Sequence, residues 1–144
     1  LLPYETEIRS DWDIFQQIIQ ECKNIPSDHF VLTHGDAPGN VIVNDSGQLN
    51  VVDWDAIMLA PPERDIWFLK DNPQFMQGYK EKYPEYQINT TFYNYYLLWR
   101  MFDDLFGWIG EVLSNKSETH RRKNLEDLKS DYFNWLRPLV RMIK

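Results

Sequence analysis

Two short apolar runs separated by a turn predict one β-hairpin in a sequence that is otherwise helical. Residues 41–43 are all β-branched, residues 45–47 read Asp-Ser-Gly, and residues 49–52 hold the second apolar run. The strands of a hairpin are antiparallel, so the residue before the first strand and the residue after the second lie at the same end. We therefore expect the side chains of Asn40 and Asp53 to converge.

A loop rich in Gly and Pro leads into this hairpin. Residues 30–32 are apolar and β-like, and residues 33–40 read Thr-His-Gly-Asp-Ala-Pro-Gly-Asn. One proline and two glycines within eight residues argue against regular structure. Asp36 is therefore expected in a loop that joins a buried strand to the hairpin.

Helices are predicted on both sides of the β-like segment. Apolar residues at spacings of three and four predict an amphipathic helix from Asp11 to Cys22, with Ser10 or Asp11 as its N-cap. Two short helices are expected at 65–70 and 74–82, where prolines separate and end them. This pattern indicates an α+β chain that is mainly α-helical.

Two long helices are expected in the C-terminal half. From Asn89 onward, two neighbouring apolar stripes continue to Leu113, which predicts a helix buried on two sides. A last helix is predicted over residues 117–143, with a kink at Pro138. At 144 residues and 43% hydrophobic composition, the chain is expected to form a single domain over residues 1–144.

Charge and composition exclude several classes of function. The formal net charge of -7 argues against a nucleic-acid partner, because such surfaces need clustered Lys and Arg. The single cysteine, Cys22, precludes an intramolecular disulfide. The sequence has no apolar run of membrane-spanning length and no leader pattern at its start, so we expect no membrane partner and a cytoplasmic location.

The polar residues of the β-like segment suit phosphoryl transfer. That reaction needs a carboxylate to orient the attacking hydroxyl and oxygen ligands to hold Mg²⁺ against the phosphates. Asp36 is a carboxylate in a loop after a strand, while Asn40 and Asp53 supply an amide oxygen and a second carboxylate. These three residues are the candidate catalytic and metal-binding groups.

Three strings between Val31 and Leu69 occur in an order that is known from one family. VLTHGDAPGNVIV, LNVVDWD and APPERDIWFL resemble the catalytic loop, the metal-binding segment and the following acidic signature of the aminoglycoside phosphotransferase and choline kinase-like family. They are similar, more distantly, to the protein kinase catalytic loop. The resemblance implies the C-terminal, catalytic-loop lobe of a protein-kinase-like fold. It also implies transfer of a phosphoryl group from ATP to a hydroxyl of a small molecule, with Mg²⁺ as cofactor.

The resemblance implies roles for individual residues. Asp36 corresponds to the catalytic base, and Asn40 and Asp53 correspond to the Mg²⁺ ligands. In protein kinases the Asn follows the Asp by five residues, whereas here it follows by four. We place the deletion within the loop, where Pro38 restricts its predecessor to extended angles and Gly39 is free to adopt positive φ.

Three further residues are implied as supports of the site. His34 and Asp65 correspond to residues that brace the catalytic loop, and Asp55 corresponds to a second acid beside the metal-binding one. These motifs contain the residues for phosphoryl transfer that the whole family shares, so they do not distinguish ATP from GTP. They also do not indicate an oligomeric state.

Acidic residues on the long apolar helix are candidates for the acceptor side. Asp103, Asp104 and Glu111 lie among large apolar side chains, where a carboxylate needs a partner or a solvated pocket. Related phosphotransferases bind acceptor amines with acids from helices after the metal motif, which favours a cationic hydroxylated acceptor. The alternative is a solvated helix edge with Arg100 as the ion-pair partner.

No Gly-rich phosphate loop and no strand Lys with its helix Glu precede Asp36. We therefore expect the N-terminal nucleotide lobe to be absent from these residues and the fragment alone to be inactive. Three functions remain open: an antibiotic kinase for an aminoglycoside or aminocyclitol, a metabolic kinase for choline, homoserine or a ribose derivative, and a noncatalytic domain that retains the fold.

Overall fold

The computed structural model describes residues 4–114, 117–130, 134, 137–141 and 143. The chain divides into two compact units, one formed by residues 1–21 with 94–144 and the other by residues 22–93. The elements, in chain order, are α1 (Glu5–Cys22), β1 (Val31–Thr33), β2 (Val41–Val43), β3 (Leu49–Val51), β4 (Met58–Ala60), α2 (Glu63–Ile66), α3 (Pro73–Lys82), α4 (Thr90–Ser114), α5 (Glu118–Leu128) and α6 (Arg137–Val140). The predicted α+β, mainly helical class is confirmed.

The unit of residues 22–93 holds two small antiparallel sheets. β2 pairs with β3, with Val41 opposite Val51, so the predicted hairpin is confirmed. β1 pairs with β4, with Thr33 opposite Met58. The β4 strand was not predicted, because it is three residues long and its partner lies 25 or more residues away in sequence.

The short helices of this unit differ from their predicted bounds. The helix expected at 65–70 is α2, which begins at Glu63 and ends at Ile66. Pro62 at its N-cap has φ -52, and a proline with fixed helical φ suits the start of a helix, so the helix begins earlier than the pattern indicated. α3 begins at Pro73, where the Asn72 side chain accepts a hydrogen bond from the Phe75 N–H at 3.0 Å.

In the other unit, the predicted N-cap of the first helix is wrong. α1 begins at Glu5, six residues before Asp11, and only 5% of Asp11 is exposed. Its carboxylate accepts a hydrogen bond from Arg137 Nε at 2.9 Å, and Arg137 Nη1 lies 3.2 Å from Glu7. Asp11 therefore forms a buried ion pair with a residue of α6, a role that its spacing before an apolar stripe did not reveal.

Leu98, Met101 and Leu105, which belong to one apolar stripe of the long helix α4, are fully buried. Phe106 and Leu113, which belong to the second stripe, are exposed, so burial on two sides is confirmed only for part of the helix. Aromatic rings from α1 pack against α4, with Phe15 stacked on Phe102 at 5.4 Å between centroids.

The continuous helix predicted for 117–143 is described as two helices. Ser117 caps α5 by accepting a hydrogen bond from His120 N–H, and Pro138 lies within α6. Residues 131–133, 135 and 136 lie outside the described residues, so the kink between the two helices is not tested.

Several apolar side chains of the two sheets are exposed. Leu32, Val43, Leu49 and Leu59 each keep more than half of their surface accessible, and Leu59 reaches 69%. Monomeric proteins rarely expose contiguous apolar surface of this kind without a partner. Of the helices in the described part of the chain, none combines the length and the apolar character that crossing a membrane requires.

Candidate active site

The backbone that precedes Asp36 is held by the Asp65 carboxylate. Asp65 Oδ2 accepts a hydrogen bond from the His34 N–H at 2.7 Å, and Oδ1 accepts one from the Gly35 N–H at 2.6 Å. Hydrogen bonds to an ionised carboxylate are shorter and stronger than neutral ones. α2 presents Asp65, so this helix fixes the start of the loop.

The imidazole of His34 joins the loop to the end of the hairpin. Its Nε2 lies 2.8 Å from the Val52 carbonyl oxygen, and its Nδ1 accepts a hydrogen bond from the Asp36 N–H at 3.2 Å. Because a carbonyl only accepts and an amide N–H only donates, the two contacts require the neutral tautomer with its proton on Nε2. His34 is 3% exposed, and its ring contacts that of Trp54 at 4.7 Å between centroids.

Asn40 contacts the segment of Asp36 directly. Its Nδ2 donates to the Asp36 carbonyl oxygen at 2.7 Å and approaches Asp36 Oδ2 at 3.5 Å. Its backbone N–H donates to the Ala37 carbonyl at 3.0 Å, and Gly39 has φ +87. Pro38 followed by a glycine at positive φ is the pattern of a type II turn. A tight turn therefore spans the shortened loop.

Asp53 follows the hairpin with a left-handed backbone. Its φ is 62, the one positive value of a non-glycine residue among the described residues, and it costs about 1 kcal/mol relative to the usual region. The Val52 N–H donates to the Asn40 carbonyl at 2.9 Å. Asp53 therefore directly follows the residue whose N–H is hydrogen-bonded to Asn40.

The donor set fits a Mg²⁺ ion that is shared with phosphates. Asn40 Nδ2 is engaged with Asp36, which leaves Oδ1 as a ligand, and the carboxylate of Asp53 is exposed. Within the described ranges no cluster of three or more His, Cys, Asp and Glu side chains could hold a metal by itself. Mg²⁺ is usually bound through one or two carboxylates together with water and substrate phosphates, so a small protein donor set is sufficient.

Asp55, the implied second acid, lies in an exposed turn in which the Ile57 N–H donates to the Trp54 carbonyl at 3.2 Å. Its side chain makes no hydrogen bond or ion pair with the part of the chain that the structure describes. Asp55 is thus a solvated acid two residues after Asp53, and its role as a second acid stays a prediction.

Arg64 is a site residue that sequence reasoning missed. It is 9% exposed, and its Nη1 and Nη2 donate to Thr33 Oγ1 at 2.8 Å and to the Ala56 carbonyl at 2.9 Å. The guanidinium also occupies the space that a Cβ at Gly35 would need. It thus connects β1, the loop and the segment after Asp53. Arg64 belongs to the string APPERDIWFL, but no role was assigned to it, because an Arg in a helix is usually exposed.

Glu63 was also missed, and it connects α2 to the start of α4. It is 1% exposed, and its Oε1 accepts hydrogen bonds from Tyr86 Oη at 2.8 Å and from the Asn89 N–H at 2.7 Å. Burial and then the hydrogen bond to Glu63 raise the pKa of Tyr86. Buried carboxylates need such donors, and both come from distant positions in the sequence.

The acids of α4 belong to the other unit. Asp104 pairs with Arg100 Nε at 3.0 Å, as the solvated-edge alternative expected. Asp103 and Glu111 are exposed and form no hydrogen bond or ion pair with residues of the described ranges. Of the three candidate acids, these two keep their charge available for a ligand.

Comparisons with known proteins agree with these motifs. Two solved structures of spectinomycin phosphotransferase APH(9)-Ia are similar, each with 29% identity and a TM-score of 0.65. The AMP-bound complex is matched over 88% of this chain and 42% of its own, and the complex with ADP and spectinomycin over 92% and 41%. This chain therefore spans about two-fifths of that protein. No curated protein matches significantly. The model of the phosphotransferase enzyme family (APH) matches residues 3–90, and the chain therefore belongs to that family.

Proposed function

We propose that the chain is the catalytic-loop lobe of an ATP-dependent phosphotransferase that acts on a hydroxyl of a small molecule, with an aminoglycoside or aminocyclitol as the favoured acceptor. The observation that carries this proposal is the hydrogen-bonded contact of Asn40 with Asp36, next to the hairpin end at Asp53. This contact joins the base candidate to one metal-ligand candidate, and the hydrogen bond from the Val52 N–H to the Asn40 carbonyl links that pair to the residue before Asp53.

In the proposed reaction, the acceptor hydroxyl donates its proton to the Asp36 carboxylate. Its oxygen forms a bond to the γ-phosphorus, and the bond from that phosphorus to the bridging oxygen of ADP breaks. Mg²⁺, held by Asn40 Oδ1 and the Asp53 carboxylate, would neutralise charge on the phosphates. Asp65 and His34 keep the loop backbone in place, so that Asp36 needs little reorganisation.

The nucleotide is proposed to be held largely by residues outside these 144. No Gly-rich phosphate loop precedes Asp36 in the sequence. The exposed apolar side chains of the β2–β3 hairpin, which include Val43 and Leu49, supply a surface that a nucleotide-binding lobe would cover. Because the reaction consumes ATP, we place it in the cytoplasm. Phosphoryl transfer by the 144 residues alone would contradict the proposal that other residues bind the nucleotide.

The favoured acceptor follows from the neighbour and from the charge of α4. APH(9)-Ia was solved with spectinomycin, an aminocyclitol with hydroxyl and amine groups. The exposed acids Asp103 and Glu111 suit the cationic amines of such a molecule, and Asp104 is a weaker candidate because Arg100 already pairs with it. A metabolic kinase for choline, homoserine or a ribose derivative uses the same transfer residues, so the acceptor must be determined by assay.

An acceptor assay tests the function. In the intact protein, with ATP and Mg²⁺, we expect ATP consumption that depends on an aminoglycoside or aminocyclitol, with spectinomycin as the first compound tested. Choline, homoserine and ribose derivatives form the second group of the panel. Turnover with the second group alone would establish the metabolic alternative, and no turnover with any acceptor would contradict the enzyme proposal.

The Asp103→Ala variant tests whether Asp103 binds the acceptor. If Asp103 binds the acceptor, its loss should raise the KM for the acceptor about tenfold or more, with little change in the KM for ATP. Asp127→Ala, which removes an acid from α5, is the matched control. Equal changes in both KM values would remove Asp103 from the acceptor site.

Asp53→Gly tests the metal assignment and the noncatalytic alternative together. In metal sites, removal of a residue that only hydrogen-bonds to a ligand weakens metal binding about 10- to 100-fold. Removal of Asp53, a proposed direct ligand, should therefore weaken Mg²⁺-dependent nucleotide binding at least as much. Stability should change by less than about 1 kcal/mol, because Gly adopts the positive φ of Asp53 readily. Calorimetric titration of the intact protein measures the affinity, with Asp45→Gly as the control. Absence of Mg²⁺-dependent binding in the wild type would favour the noncatalytic domain.

A further inference from the structure

A cleft lies in the unit of residues 22–93. Its volume is about 1030 Å³, and residues from segments 25–33, 61–66 and 79–92 line it. Asp36, Asn40 and Asp53 are not among the lining residues. The volume is at the upper end of the range for small-molecule sites, so the cleft has room for a ligand.

Aromatic rings contribute to the lining of this cleft. Tyr79 contacts Tyr83 at 5.1 Å and Tyr86 at 5.0 Å between ring centroids, and Phe30 contacts Phe92 at 5.8 Å. All five rings line the cleft. The faces of aromatic rings carry partial negative charge, which attracts ammonium groups within about 6 Å of the centroid.

Carboxylates outnumber cations in the lining of the cleft. Asp28, Glu63, Asp65 and Glu85 line the cleft, against Lys82 and the imidazole of His29. Glu63 is almost fully buried, and no Lys, Arg or His of the described ranges forms an ion pair with it. An excess of negative charge between low-dielectric walls concentrates its field on a ligand. That field favours a cation.

The pKa of one cleft tyrosine reflects the nearby carboxylates. Burial raises the pKa of Tyr79 first, and the neighbouring Tyr83, Glu63 and Asp65 raise it further. Burial opposes a charge of either sign, whereas the two carboxylates oppose a phenolate and attract a cation.

From these observations we propose that the cleft binds an organic cation, namely an amine or quaternary ammonium group attached to an apolar body. The tyrosines contact the cationic group and the apolar body, and the buried carboxylate of Glu63 contributes charge. This binding does not require nucleotide, because the cleft shares no residue with the proposed base and metal ligands. Asp65 connects the two regions, since it lines the cleft and also holds the loop before Asp36.

Benzylamine and benzyl alcohol are matched probes for this site. They have the same shape, and only the amine is charged at neutral pH. In calorimetric titrations of the full chain without nucleotide, we expect benzylamine to bind in the millimolar range and about tenfold more tightly than benzyl alcohol. Equal affinities, or no binding of benzylamine up to about 20 mM, would refute the proposal.

Variants locate the binding within the cleft. Glu63→Gln keeps an oxygen acceptor for Tyr86 and Asn89 but removes the charge, and it should reduce the preference for benzylamine. Tyr83→Leu removes a ring that is 60% exposed, so it should weaken benzylamine binding with little effect on folding. Glu81→Gln, on α3 but outside the cleft, is the control and should bind like the wild type. If Tyr83→Leu leaves the affinity for benzylamine unchanged, the cleft is not the binding site. This conclusion holds whether or not the Glu63→Gln variant folds.

Discussion

Asp36→Asn should lower the rate of phosphoryl transfer about a thousandfold in the intact protein, with nucleotide affinity unchanged. General-base catalysis by a positioned side chain contributes about 10²- to 10⁴-fold, and an amide cannot accept the proton of the acceptor hydroxyl. The substitution preserves the size of the side chain. It also leaves the hydrogen bond from Asn40 to the Asp36 carbonyl oxygen, because that bond involves the main chain.

This expectation separates a catalytic role from a structural one. The turnover number would be measured with the best acceptor, the affinity for ATP by calorimetry, and stability by urea unfolding. Asp45→Asn, which makes the same change in the exposed hairpin turn, should behave like the wild type. A variant that keeps more than about a tenth of the activity would show that Asp36 is not the base. A large loss of stability would instead indicate a role in holding the loop.

Local patterns allowed much of the transfer segment to be predicted. Residues 41–43 and 49–52, with an Asp-Ser-Gly turn between them, specify a hairpin through contacts that are close in sequence, and the structure contains it. The turn over Pro38 and Gly39 likewise depends on the conformational limits of two adjacent residues. Such features follow from the sequence because the interactions that determine them span only a few residues.

Several buried charged residues depend on contacts with residues that are distant in sequence, and these contacts were missed. Arg64 reaches Thr33, which is 31 positions earlier, and Glu63 reaches Tyr86, which is 23 positions later. Asp11 pairs with Arg137 over 126 positions. Charged residues in helices are usually exposed, so no local pattern distinguishes these buried ones. The resemblance assigned a role to Asp65, whereas Arg64 and Glu63, which belong to the same string APPERDIWFL, were assigned none.

Gly35→Ala should cost about 3 kcal/mol or more in stability, whereas Gly39→Ala should cost about 1 kcal/mol. Gly35 has φ +88 and Gly39 has φ +87, so both substitutions place an alanine at a similar positive φ. They differ in their surroundings. A Cβ at Gly39 would meet nothing within 4 Å, whereas a Cβ at Gly35 would overlap the guanidinium of Arg64.

The additional cost at Gly35 arises from Arg64. To admit a methyl group, the guanidinium must move, and its hydrogen bonds to Thr33 and to the Ala56 carbonyl would be strained or lost. Breaking a buried hydrogen bond costs about 1–3 kcal/mol, so this displacement should exceed the conformational strain itself. Urea unfolding of both variants would measure the difference, and equal losses would contradict the close approach of Arg64 to Gly35.

A double-variant cycle assigns the extra cost to that contact. Arg64→Ala alone should destabilise the protein, because it removes the link between β1 and the segment after Asp53. If the guanidinium is the obstacle, Gly35→Ala combined with Arg64→Ala should cost less than the sum of the two single changes. Additive losses would place the strain of Gly35→Ala elsewhere, for example in its hydrogen bond to Asp65. The cycle therefore tests whether Arg64 is what requires a glycine directly before the proposed catalytic base.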